Sequence, residues 1–271
     1  MYRDLLVHID GSDGGRRRVQ FAVDLAARMG ARLSGIHVTP SAEVRPLYKP
    51  SHVAQVAADV AGNLALDARA AAAIFHEGAS DAAWFEAAGD VVRGISAAAR
   101  YADLVILGQY ESQGAPEAHP LPVAHSVVVH CGRPVLVVPA AVRVLALGRV
   151  MVAWDGSREA VRAIHDAIPL LHVAGSVQIV RMIGSSDESD EPDADRLATH
   201  LVNHGVNAVP DALLVRTAVE HRALQKELEQ GPYDLLVMGG YSHAMWRQFI
   251  FGDGATQSIL LSSDIPVFVS H

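Results

Sequence analysis

The chain carries LLVHIDGS at residues 5–12 and VMVAWDGS at residues 150–157. Each is a short apolar run that ends in Asp-Gly-Ser ahead of a stretch with helical periodicity. Two further pairs follow in the same order: ADLVILGQY at 102–110 with YDLLVMGGY at 233–241, and RPVLVVP at 133–139 with IPVFVS at 265–270. The paired segments are offset by 145, 131 and 132 residues. Because chance similarity between apolar strands does not usually keep one order, we interpret the chain as an internal duplication.

Each half alternates apolar runs with amphipathic stretches, which predicts alternating strands and helices. Strands made almost wholly of Val, Ile and Leu are typical of a parallel sheet that helices cover on both faces. Right-handed crossovers then give an open, doubly wound sheet. We predict an α/β fold of two tandem Rossmann-like domains, residues 1–144 and 145–271, with the boundary near 141–148.

Composition narrows the classes of function. Of the 271 residues, 50% are hydrophobic and 19% are charged, and the formal net charge is −8. This charge argues against nucleic-acid binding, which needs clustered Lys and Arg, and we expect the basic cluster Arg16–Arg18 to be a solvated helix face. With Cys131 as the only cysteine, an intrachain disulfide is excluded. No signal-peptide pattern or long apolar stretch occurs, so we expect a soluble, cytoplasmic protein without a membrane span.

The Asp-Gly-Ser turns allow two interpretations. In the structural one, the glycine permits the turn and the serine caps the helix that follows. In the functional one, Asp10 or Asp155 accepts hydrogen bonds from the ribose hydroxyls or an amine of a ligand. Ligands of doubly wound sheets bind beyond the carboxyl ends of the strands, where the strand order reverses. The sequence leaves both interpretations open.

A glycine-bearing segment runs from Met238 to Thr256 and contains MGGYSH at 238–243 and FGDGAT at 251–256. Glycines after a buried strand let backbone amides approach an anion closely. A helix that begins near Thr256 presents its amino end to a phosphate. His243 is well placed to touch such a ligand.

At these residues the chain resembles the universal stress protein family over nearly all of both halves. The resemblance rests on the Asp-Gly-Ser turns, the glycine after the penultimate strand and the closing Pro-Val-x-Val strand. Nucleotide-binding members of that family carry Gly-x2-Gly-x9-Gly-Ser/Thr, which cradles the ATP phosphates. In this sequence Gly239 and Gly252 match the first and third glycines, whereas Ser242 and Asp253 stand at the second glycine and at the hydroxyl position.

The resemblance implies an adenine nucleotide alpha hydrolase-like fold with a site for ATP or AMP in the second half. Asp155 would contact ribose or adenine, and backbone groups of Ala153 and Met182 would border the base. The phosphate segment would comprise Met238, Gly239, Ser242, Gly252, Gly254 and Thr256, with Gly254 and Thr256 taking the last two roles after a one-residue length change. Mg²⁺ is compatible with this site, although no residues are dedicated to it.

The corresponding segment of the first half, residues 108–122, has no second phosphate-loop glycine at the spacing of the family motif, and it contains Glu111 and Glu117. We therefore expect phosphate binding to be lost there and the first half to be a structural or partner-binding copy.

Two functional hypotheses remain. In the first, the chain is a non-enzymatic stress-response module that binds an adenine nucleotide in its second half. In the second, favoured by Ser242 and Asp253, it is an interaction or dimerisation scaffold with degenerate loops. Residues 135–138 and 267–269 would then pair within the chain as a pseudo-dimer, and a protein partner or a homo-oligomer is compatible with this arrangement. No Ser-His-Asp order or nucleophile elbow occurs, so at most slow ATP hydrolysis is expected.

Two histidines, His200 and His204, lie four residues apart on a predicted helix, a spacing that can hold a metal ion on one face. No neighbouring cysteine or carboxylate pair completes a ligand set at motif spacing. We therefore interpret them as surface residues and predict no metal site.

Overall fold

A computed structural model describes residues 1–41, 50–109, 123–183, 193–216, 223–240 and 255–271. Strands and helices alternate along these residues. The strands are β1 (Asp4–His8), β2 (Arg32–Pro40), β3 (Ala83–Gly89), β4 (Leu104–Gly108), β5 (Val135–Val138), β6 (Arg149–Trp154), β7 (Ser176–Ile183), β8 (Ala208–Arg216), β9 (Leu235–Gly239) and β10 (Val267–Ser270). The helices are α1 (Asp13–Met29), α2 (Pro50–Gly78), α3 (Val91–Ala99), α4 (Val123–His130), α5 (Arg158–Leu171), α6 (Ala194–Asn203), α7 (Ala223–Gln230) and α8 (Ala255–Ser262).

All of these strands join one ten-stranded sheet with the order β3-β2-β1-β4-β5-β10-β9-β6-β7-β8. The first five strands are parallel to one another, and so are the last five. Within each half the strand order is 3-2-1-4-5, which is the order of a doubly wound sheet. The predicted α/β fold class is therefore confirmed.

The two halves meet where β5 pairs with β10 in antiparallel orientation. Leu136 lies opposite Phe268, and Val137 and Val135 lie opposite Val267 and Val269. The predicted pairing of the two final strands within one chain is therefore present. Because this pair is antiparallel, the carboxyl ends of the strands in the two halves point to opposite edges of the sheet.

Side chains alternate between the two faces of every strand. Leu5 and Val7 belong to one hydrophobic cluster, which packs against α1, α2, α5 and α6. Leu6 belongs to a second cluster on the opposite face, which packs against α3, α4, α7 and α8. Both clusters contain residues of both halves, so the core continues through the β5–β10 pair. The division at residue 144 stays a prediction.

None of the helices among the described residues is long and apolar enough to cross a membrane.

Phe268 tests how much the core at the β5–β10 pair contributes to stability. Its side chain is fully buried, so we expect Phe268→Ala to lower the free energy of unfolding by about 3–5 kcal/mol, as cavities left by buried aromatic residues do. Urea denaturation followed by circular dichroism measures this change. The matched control is Phe85→Ala, since Phe85 is 50% exposed and should lose less than about 1 kcal/mol. Equal losses in the two variants would contradict the structure.

Candidate functional site

Each half has a crevice at its carboxyl edge where the strand order reverses. In the first half this point lies between β1, which is followed by Asp10, and β4, which ends at Gly108. In the second half it lies between β6 and β9, where Ala153 is the register partner of Met238. We call these the first crevice and the second crevice. They lie at opposite edges of the sheet.

The Asp-Gly-Ser turn has the same hydrogen bonds in both halves. The Asp10 carboxylate accepts hydrogen bonds from the backbone amide of Ser12, at 3.1 Å, and from its hydroxyl. Asp155 accepts the matching bonds from Ser157 at 2.9 and 2.6 Å. Each serine hydroxyl in turn accepts a bond from the amide three residues on, at 3.0 and 3.1 Å, and so caps its helix. The structural interpretation of these turns is confirmed.

Arg18 reaches into the first crevice. Its side chain comes from α1 and is only 9% exposed. One guanidinium nitrogen donates to the backbone carbonyl of His8 at 2.7 Å, and both terminal nitrogens lie 3.3 Å from Oδ2 of Asp10. A Cβ atom at Gly108 would lie 2.1 Å from the guanidinium, so the glycine makes room for Arg18. The expectation that Arg16–Arg18 is a solvated face is therefore wrong for Arg18, which turns inward to pair with Asp10.

The paired guanidinium also sets the charges in this crevice. Burial by itself would raise the pKa of Asp10, but Arg18 and the Ser12 hydrogen bonds outweigh it and lower the pKa to about 2. Burial lowers the pKa of His8 to about 3, and the charge of Arg18 adds to this effect. At neutral pH the crevice thus holds an ionised carboxylate, an arginine and a neutral imidazole.

A side chain of α2 also bonds to the Asp-Gly-Ser turn of the first half. The amide of Gly11 donates to the carboxylate of Asp67, on α2, at 2.8 Å. The cavity that remains beside Arg18 and Gly108 has a volume of about 10 Å³, which holds at most one water molecule. Within the described part of the chain, the space beside Arg18 and Gly108 is therefore too small for a nucleotide.

The second crevice differs at the corresponding positions. With the offset of 145 residues, Ala163 stands where the first half has Arg18, and it is fully buried. No guanidinium from that position therefore enters this crevice. A Cβ atom at Gly239 would lie 2.5 Å from the backbone nitrogen of Ala160. This glycine is needed for the close approach of α5 to the end of β9.

Glu159 is a charged residue that the sequence reasoning missed. It lies in the first turn of α5 and is only 4% exposed. Its carboxylate is 3.1 Å from Arg158, whose own side chain is mostly exposed. A carboxylate is favoured at a helix N-terminus by the helix dipole. Because the carboxylate of Glu159 repels other anions, the first turn of α5 is an unfavourable place for a phosphate.

The three apolar residues predicted to border a ligand belong to the core. The side chains of Ala153, Met182 and Met238 are buried in the second hydrophobic cluster. Only their backbone groups can therefore face a ligand, as the sequence reasoning proposed for the first two. Ala153 and Met238 are brought together as register partners, whereas Met182 lies on β7, one strand further along the sheet.

The segment after β9 is held at its first residue. The amide of Gly240 donates to the carbonyl of Ser270 at 2.8 Å, and the ring nitrogen Nδ1 of His271 lies 2.9 Å from the carbonyl of Gly240. Thr256 is buried in the first turn of α8. The remaining predicted ligand residues and their first-half counterparts lie outside the described residues: Ser242, His243, Gly252, Gly254 and the segment 110–122.

Replacing Arg18 tests its role in the first crevice. Arg18→Met leaves the Asp10 carboxylate without its cation, so we expect a loss of about 2 kcal/mol in the free energy of unfolding. This is less than for fully buried pairs because Asp10 is partly exposed. Urea denaturation measures the loss. Arg16→Met is the matched control on the same helix, since the pair of Arg16 with Glu77 is exposed and contributes little. A control as destabilised as Arg18→Met would refute the buried role.

His8 makes stability depend on pH. An unfolded histidine takes up a proton near pH 6.5, whereas folded His8 does so at about pH 3. Between pH 3 and pH 6.5 the unfolded chain therefore binds more protons than the folded chain. The contribution of neutral His8 is present above pH 6.5 and is lost as the pH falls toward 3. His8→Ala, which copies Ala153, should reduce the decline between pH 6.5 and 4.5 by up to about 1.4 kcal/mol per pH unit. If the curves of unfolding free energy against pH are parallel for the unchanged chain and for His8→Ala, the role of His8 is contradicted.

Comparison with known proteins agrees with this architecture. A family model described as universal stress protein family matches residues 1–139. A universal stress protein from Archaeoglobus fulgidus is 19% identical, with 98% of this chain and 95% of that chain covered and a TM-score of 0.64. A functionally unknown protein from Pseudomonas aeruginosa is 15% identical, with 99% and 92% covered and a TM-score of 0.52.

A universal stress protein in complex with cAMP is 22% identical, covers 52% of this chain and 98% of its own, and has a TM-score of 0.33. None of the curated proteins matches the chain. The structures from Archaeoglobus fulgidus and Pseudomonas aeruginosa share the fold. The family model covers just over half of the sequence, including the first Asp-Gly-Ser turn, Gly108 and the final strand of the first half. The chain therefore belongs to the universal stress protein family.

Proposed function

We propose that the chain is a stress-response module that binds an adenine nucleotide, ATP or AMP, in the second crevice, and that the first half is a closed structural copy. The difference between Arg18 and Ala163 carries this proposal. The guanidinium of Arg18 occupies the space beside Asp10 and pairs with it. The residue at the matching position of the second crevice, Ala163, has only a methyl group, so it does not reach into that crevice as Arg18 reaches into the first.

Asp155 would hold the ribose or the adenine amine. It is half-buried and follows β6 at the carboxyl edge. The bonds from Ser157 fix its orientation, so its carboxylate is pre-organised for a hydrogen-bond donor of the ligand. The backbone groups of Ala153 and Met182 would border the base, which matches the burial of their side chains in the core.

The phosphates would lie at the amino end of α8, away from Glu159. This helix starts at Ala255, after the strand β9, so its first turn and Thr256 lie at the same edge of the sheet as Asp155. Free amides of a first helical turn bind phosphate. Ser242, Gly252 and Gly254, which lie outside the described residues, complete the proposed phosphate segment together with Met238 and Gly239.

Mg²⁺ would enter this site only with the nucleotide. Among the described residues, no group of three or more His, Cys, Asp or Glu side chains is arranged to hold a metal ion. Asp155 and Thr256 supply oxygen atoms at the proposed edge. Mg²⁺ commonly keeps several waters and binds through substrate phosphates. These oxygen atoms are therefore compatible with a Mg²⁺ ion that is bound mainly by the phosphates of the nucleotide.

The second candidate function is a scaffold that binds a protein partner and no nucleotide. Two observations favour it: the amide of Gly240 is already bonded to Ser270, and Glu159 brings a buried negative charge to the edge of the second crevice. Nucleotide titration separates the two functions. We propose that the protein works in the cytoplasm and that it catalyses at most slow ATP hydrolysis.

Calorimetric titration of the full chain with ATP and with AMP tests the proposal. We expect one nucleotide per chain. Asp155→Asn should weaken binding at least about tenfold, because a hydrogen bond to a charged acceptor is lost. Asp10→Asn, the same change in the first crevice, should leave the affinity unchanged. No heat and no thermal shift at millimolar nucleotide would leave the scaffold as the function.

The same titration on Ala163→Arg gives a second readout, because this variant places the guanidinium of the first half in the second crevice. Binding should be abolished while circular dichroism still shows the fold. If Ala163→Arg does not fold, the paired Asp155 and Asp10 variants decide the outcome.

A further inference from the structure

Three histidine rings gather on the surface of the second half, away from the second crevice residues. His165 comes from α5, and His200 and His204 come from consecutive turns at the end of α6. The ring centroids are 5.2 Å apart for His165 and His200, 6.2 Å for His165 and His204, and 4.7 Å for His200 and His204. We call these three residues the histidine trio. The first half has Gln20 at the position that corresponds to His165 at the offset of 145 residues.

The polar atoms of the trio are incompletely bonded. The ring nitrogen Nε2 of His200 is buried and has no hydrogen-bond partner. A buried polar atom without a partner costs free energy, so native proteins usually satisfy such an atom or use it for binding. The rings of His165 and His204 beside it belong to exposed residues.

The charges around the trio suit a cation. The neutral form of an imidazole is the form that binds metals. Arg196, one turn before His200, is directed to Asp193. Arg162 on α5 contacts Asp166 and the carbonyl of Gly132, so its charge is drawn to other groups.

We propose that His165, His200 and His204 bind one Zn²⁺ ion or a similar divalent transition metal, with the fourth coordination position open to solvent. Three imidazole ligands suit Zn²⁺, Co²⁺ and Ni²⁺. With bonds of about 2.0–2.1 Å from the metal to nitrogen, tetrahedral ligands place their ring centroids about 5 Å apart, which is close to the observed spacing.

The metal would have to turn the rings to assemble this site. In their present orientations no group of three or more candidate ligands among the described residues can hold an ion. His165 and His204 are exposed, so their side chains can rotate about χ1 and χ2 without disturbing the core. A bound ion would cross-link α5 to α6 and stabilise the second half by mass action.

Titration of the metal-free full chain with zinc sulfate, followed by calorimetry, tests this site. We expect one Zn²⁺ per chain, and each of His165→Gln and His204→Gln should weaken the binding at least about tenfold, because a ligand is lost. His130→Gln is the matched control, since His130 is an exposed histidine on α4 of the first half, and it should bind Zn²⁺ like the unchanged chain.

Cobalt absorption gives an independent measurement. Addition of cobalt chloride to the unchanged chain should produce the visible bands of a four-coordinate ion, and these bands should be lost in His204→Gln and retained in His130→Gln. The proposal fails if Zn²⁺ does not bind at concentrations of about 100 µM, or if the His204 and His130 variants bind it equally.

Discussion

The antiparallel pairing of β5 with β10 is the constraint on which the rest of the structure depends. It joins two parallel five-stranded halves into one sheet and removes the edges that both final strands would otherwise expose. Phe268 and Leu136 face each other in this pair and belong to the same core cluster. Because the halves run in opposite directions, their crevices open at opposite edges. One ligand therefore cannot contact both crevices, and the residues of each crevice can change independently of the other half.

The two crevices share some residues and differ in others. Both halves retain the aspartate, the capping serine and the glycine at the end of the fourth strand, since these residues shape the turn and allow the helix to approach the sheet. The residues around this frame differ. In the first crevice Arg18 pairs with Asp10 and donates to the backbone carbonyl of His8, whereas Ala163 and Ala153 stand at the positions of Arg18 and His8 in the second half. The same glycine thus accommodates a guanidinium in one half and a helix backbone in the other.

The fold could be predicted from the sequence because its signals are local and repeated: the Val-rich strands, the capped turns and the order of the paired segments. The burial of Arg18 was less visible, because three consecutive arginines resemble a solvated face. Its position four residues before Ala22 and seven before Leu25, on the buried stripe of α1, was the available signal. The contact of Asp67 with Gly11 joins residues far apart in the sequence, and neither residue signals it locally. The gathering of His165 with His200 and His204 likewise depends on how α5 and α6 are placed by the sheet.

Arg18 occupies the space beside Asp10 in the first crevice, and we propose that the second crevice receives the nucleotide. Diffraction from crystals grown with AMP measures this most directly. We expect density for the nucleotide beside Asp155 and the first turn of α8, with the guanidinium of Arg18 still on Asp10. Density for AMP beside Asp10, with Arg18 displaced, would contradict the account.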